Sequence, residues 1–131
     1  KKLAEKLGFT DNVKFVTDYL ENEASMEYLH CCDLFLMTYL PSEESASGAV
    51  RFCVAARRPL VTTKQKIFDE FSDCSYQVEK NKPELVADAV EKMLDESISR
   101  PYVQIMEKRI QETSWDVVCK KINELYLTIG K

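Results

Sequence analysis

Two apolar runs flank a polar, glycine-bearing turn between Asp33 and Thr63, and this arrangement constrains the chain more than any other feature. Leu34, Phe35, Leu36 and Met37 lead into Pro41-Ser42-Glu43-Glu44-Ser45-Ala46-Ser47-Gly48, and a small-residue segment follows from Ala49 to Ala56. Pro59 then opens Leu60-Val61-Thr62-Thr63. Residues 33–40 have the length of a strand, and their continuous apolar character suits one covered on both faces. The proline can start the second strand, where its missing N–H is tolerated. The unit is strand, loop, helix, strand. In an open parallel sheet, ligands bind at the carboxyl edge of the strands, which is where the polar loop lies.

The rest of the chain extends this pattern. Residues 1–7 have a helical apolar face, and Gly8 is a stop signal. Residues 13–16, Val-Lys-Phe-Val, read as a short strand, and Asn22 can cap a helix running to about Cys31. Residues 67–71 suggest a helical turn, residues 76–79 a last strand, and Pro83 the start of a helix. Pro101 opens the next helix in this reading, and Thr113 with Asp116 resembles a capping box before a final helix. In that helix Trp115 and Tyr126 are expected in the core. Four strands alternating with helices predict an α/β fold: a Rossmann-like parallel sheet with flanking helices, in a single domain spanning 1–131.

Composition narrows the functions. With 131 residues and a net charge of −4, the chain has no basic footprint for duplex nucleic acid, so no nucleic-acid partner is expected. No apolar run reaches the ~18 residues of a membrane span, so no transmembrane segment is expected. Cys31, Cys32, Cys53, Cys74 and Cys119 are scattered, odd in number and without a C-x-x-C spacing, and His30 is the one histidine. That pattern predicts no metal site, reduced buried thiols and a cytoplasmic location. His30 reads as a helix-end residue.

The loop carries the chemistry. Ser45 or Ser47 can cap the following helix, and Gly48 and Ala49 leave its first turn sterically open. Unpaired first-turn amides and the helix dipole favour an anion such as a phosphate. Arg51, one turn in, can add a cation, and Glu44 can accept hydrogen bonds from sugar hydroxyls. Capping alone also accounts for a Ser-Glu-Glu sequence here, since negative charge at a helix start stabilises by about 0.3–1 kcal/mol without any ligand.

The order of elements resembles the C-terminal, nucleotide-sugar-binding domain of GT-B-fold glycosyltransferases of family four. The resemblance rests on Leu7-Gly8-Phe9 with Asn12-Val13-Lys14-Phe15, Pro41-Ser42, Glu44, Ser47-Gly48, Ala55-Ala56, Pro59 to Thr62, and Ser114-Trp115 with Leu125-Tyr126. It implies transfer of a sugar from a nucleoside diphosphate sugar to a saccharide or related acceptor, with retention of configuration and no cofactor. It implies Glu44 as the catalytic contact to the sugar. Ser45, Ala46, Ser47, Gly48, Ala49 and Arg51 would lie at the diphosphate or sugar, and Thr17, Tyr19 and Leu20 against the base. The partners would be a glycan acceptor and the N-terminal half of the same protein, with two further strands and a basic pair expected before Lys1. The chain departs from the family at two places: Phe52 stands where the family has a second Glu, and Arg57 where it has a small Gly. Those departures motivate an alternative, a degenerate, non-catalytic copy that docks another protein. A receiver-type signalling domain is disfavoured, because Asp33 stands at the wrong end of its strand.

Overall fold

The computed structural model describes residues 1–41, 43–44 and 46–129. Ser42 and Ser45, both in the loop singled out above, lie outside the described residues.

The observed order is α1 (Lys2–Leu7), α2 (Asn22–His30), β1 (Phe35–Met37), α3 (Gly48–Ala55), β2 (Leu60–Thr63), β3 (Tyr76–Val78), α4 (Pro83–Leu94), α5 (Glu96–Glu112) and α6 (Trp115–Ile129), with short 3-10 helices at Thr10–Asn12 and Lys66–Phe71. The three strands form a parallel sheet in the order β1-β2-β3, with Phe35 opposite Leu60 and Val61 opposite Tyr76. The fold is therefore α/β, a parallel sheet flanked by helices.

The central strand β2 is buried along its whole length, as a strand covered on both faces must be. On one face Phe35 and Leu60 pack with Val50, Cys53 and Val54 of α3, Phe68 and Phe71, and Met106 of α5. On the other, Val61 and Val78 pack with Ala89 and Met93 of α4. Period-two alternation along the strands supplies both layers. A hydroxyl pair crosses the sheet: Thr62 Oγ1 lies 3.2 Å from Ser75 Oγ, and Ser75 donates to the Phe71 carbonyl at 2.8 Å.

Local signals explain the ends of several helices. Gly8 takes φ 74°, the left-handed value that glycine adopts without strain, and ends α1. Pro83 occupies the first turn of α4. Asp95 caps α5 by accepting from the Ser97 amide at 2.8 Å and the Ser97 hydroxyl at 2.6 Å. Those bonds hold its carboxyl below the usual range.

Several expectations are corrected. Residues 13–16 form no strand; Val13, Phe15 and Val16 are exposed. A strand is made by pairing, and among the described residues β1 pairs only with β2, so nothing completes a ladder with this segment. Asn22 is the first residue of α2, after Glu21, and makes no capping bond. Pro101 does not open α5 but lies within it, because the Asp95 cap starts the helix at Glu96. At α6 the capping hydroxyl is Ser114, which accepts from Val117 N at 3.5 Å, whereas Thr113 donates back to the Arg109 carbonyl at 2.7 Å. At the end of α3, Ala55 is exposed and Ala56 is buried. Trp115 and Tyr126 are 80% and 70% exposed and so are not core residues: α6 turns its apolar stripe to the surface.

Candidate functional site

The site begins where the chain leaves β1. Thr63 Oγ1 donates to the Tyr39 carbonyl at 2.9 Å, and Asn81 Nδ2 donates to the Thr38 carbonyl at 3.2 Å. These long-range bonds, from β2 and from the turn before α4, fix the root of the loop that leads to α3. At its far end Ser47 is buried and caps α3, its hydroxyl accepting from Val50 N at 3.4 Å. Gly48 and Ala49 are exposed, and a Cβ built on Gly48 would meet nothing within 4 Å. The Gly48 and Ala49 amides, which have no intrahelical acceptor, thus belong to exposed residues, while the Val50 amide is buried and taken by the Ser47 cap. Glu44 and Ala46 are exposed in the same loop.

A cavity of about 470 Å³ opens beside this helix start, within the ~300–1,000 Å³ typical of small-molecule clefts. Its walls come from four parts of the chain. Tyr19 and Leu20 come from the segment before α2; Asn22, Ser25 and Leu29 from one face of α2; Met37 from the end of β1; and Ala49, Phe52 and Cys53 from one face of α3. Spacings of three, four and seven residues put each helical set on a single face. Tyr28 completes an aromatic group with Tyr19 and Phe52. Tyr19 is 87% exposed and so is not a packing aromatic. The Ser25 hydroxyl is turned to its own segment, donating to the Leu20 carbonyl at 3.4 Å. Burial pushes the Cys53 thiol up to about 11, with nearby Cys32 adding to the shift, so Cys53 is a neutral wall residue at physiological pH.

Of the sequence-predicted residues, the structure brings Tyr19, Leu20 and Ala49 to this cavity. Thr17, Glu44, Ala46, Ser47 and Gly48 are outside its described lining, although Ser47 and Gly48 adjoin Ala49; Ser45 falls outside the described residues. Arg51 faces elsewhere. Its guanidinium meets Glu70 Oε2 at 2.7 Å and lies 5.6 Å from the centre of the Phe71 ring. There it lines a second cleft of about 480 Å³ with Arg109 and Trp115. Lys64, just beyond the carboxyl end of β2, is paired to Glu79 at 2.7 Å, and that bond raises its pKa. His30 ends α2, its carbonyl accepting from Arg58 at 2.9 Å.

Sequence reasoning did not assign Asn22, Tyr28, Met37 or Phe52 to a ligand site. The usable signal was helical spacing, which places Asn22 with Ser25 and Leu29, and Ala49 with Phe52 and Cys53. What spacing leaves open is that the two faces converge. Among the described residues no group of His, Cys, Asp and Glu is arranged to hold a metal ion, and no helix is long and apolar enough to cross a membrane. Compared with protein-family models and with curated protein sequences, the chain matches none of either.

Proposed function

We propose that this chain is the donor-binding domain of a glycosyltransferase, holding a nucleoside diphosphate sugar for transfer to a saccharide or related acceptor. One observation carries the reading: a single cavity joins Tyr19 and Leu20 to Ala49 at the open start of α3, beside the end of β1. Such a cleft at the carboxyl edge of a parallel sheet is where open α/β folds take their ligands. An aromatic and apolar hollow suits a planar base, and first-turn amides suit the diphosphate attached to it. In this reading Glu44 contacts the transferred sugar, and the α3 amides stabilise the leaving diphosphate. The rate gain comes from positioning and electrostatics. Arg51 joins the diphosphate by leaving Glu70, an exposed pair whose loss costs about 0–1 kcal/mol. The glycan acceptor site and an N-terminal half complete the enzyme. The free cysteines agree with a cytoplasmic setting.

Calorimetric titration of the protein with UDP, GDP and ADP tests the proposal. Binding of at least one is expected, abolished by Ala49→Trp, which fills the cavity mouth from an exposed position. Glu44→Ala should lower sugar transfer while nucleotide affinity stays within about twofold. Absence of binding to all three nucleotides would overturn the reading in favour of a non-catalytic interaction module.

A further inference from the structure

Resting on the nucleotide-sugar reading above, the same cavity points to how a nucleoside would be selected. Phe52 follows Ala49 by one helical turn and stands on the cavity wall with 37% of its surface exposed. Tyr19 and Tyr28 face the same space. None of the described lining residues is an aspartate or glutamate. In dinucleotide-binding α/β sheets the ribose 2′-hydroxyl is held by an Asp or Glu carboxylate. A phenyl ring offers a face for stacking and no acceptor for a hydroxyl. The Ser25 hydroxyl is directed to the Leu20 carbonyl. Asn22 keeps a carboxamide that both donates and accepts, the pattern a base edge presents.

We propose that Phe52 is the base-stacking residue here: the cavity grips a nucleotide by its base, stacked on Phe52 and Tyr19, and does not distinguish ribose from 2′-deoxyribose. Stacking of this kind tolerates any base with a π-face, so base preference falls to Asn22, and no carboxylate of the described lining reads the sugar hydroxyl.

The test is a set of binding constants for UDP, GDP and ADP and their 2′-deoxy counterparts, with inorganic pyrophosphate as a base-free probe. For the best-bound base, the ribo and deoxy forms should agree within about twofold. Phe52→Ala should weaken both by about tenfold, the scale of one lost base–aromatic stack, and leave pyrophosphate binding unchanged. Phe52→Leu keeps the apolar bulk, so a similar loss there identifies the aromatic face and not misfolding. Phe52→Glu should create a preference for the ribo form. A more than tenfold ribo preference in the unmodified protein, or unaltered affinity in both Phe52→Ala and Phe52→Leu, would overturn this inference and leave the donor-binding reading standing. Failure of every nucleotide to bind, ribo and deoxy alike, would end both.

Discussion

Arg57 has φ 54°, the one non-glycine residue at positive φ among the described residues. It follows Ala56, the C-cap of α3, where the chain turns towards β2, and its amide donates to the Val54 carbonyl at 3.1 Å. A side chain in this left-handed position carries steric cost that glycine avoids. Arg57→Gly should therefore stabilise the protein by about 0.5–1 kcal/mol, read as a higher midpoint in urea unfolding. A glycine at this position was suggested only by the family resemblance; the backbone angle that would suit one was not legible in the sequence. The cysteines divide in a similar way. Cys53 and Cys74 are buried with pKa values pushed up to about 11, by burial in both and further by Cys32 and Asp73 respectively. Cys31 and Cys119 are exposed. Iodoacetamide at pH 8 should label Cys31 and Cys119 first, with mass spectrometry showing Cys53 and Cys74 protected until unfolding. Because folding raises both buried thiols from 9.0 to about 11, their contribution to stability is complete below pH 9. It declines as pH rises towards 11, where the unfolded chain ionises first.

At the scale of elements, α3 is the best-determined piece. Small residues at its start, the Ser47 cap and the Val50, Cys53 and Val54 stripe all point to one helix in one orientation. Ser47→Ala should cost about 1 kcal/mol of stability through the lost cap, measured by thermal unfolding. Ser47→Asp, another good cap, should recover most of it while placing a carboxylate at the proposed anion site and weakening nucleotide binding. Those two readouts separate the structural duty of Ser47 from its duty towards a ligand. The last helix shows the limit of this kind of reading. Its apolar spacing correctly predicts an amphipathic helix, yet Trp115, Leu125 and Tyr126 remain exposed. A stripe reports that one side of a helix is apolar, and says nothing about what covers it. The helix before it was misread at its start for another reason: Pro101 is a strong boundary signal, but the Asp95 cap with Ser97 is a competing one and prevails.

For the whole molecule, the alternating strands and helices made the α/β class legible, and three of four expected strands appear in one parallel sheet. The fourth was not excluded by any local signal; its absence is a matter of pairing between distant segments. The candidate cavity was half legible for the same reason, since Tyr19 and Ala49 were assigned separately and meet only through the fold. Stability should follow the two layers around β2 and ignore the exposed apolar residues of the first segment. Phe68→Ala, at a fully buried ring, should cost about 3–5 kcal/mol, whereas Phe15→Ala should change stability by less than about 0.5 kcal/mol. Paired denaturation curves would check that contrast. The one-sided pairing of β1 has its own kinetic signature. Phe35 donates its amide to the Pro59 carbonyl at 2.8 Å, so the neighbouring Leu36 amide points to the opposite rim. In heavy water that proton should be swapped for deuterium well ahead of its counterparts on β2, making Leu36 a built-in clock that slows only when another peptide backbone comes to lie alongside.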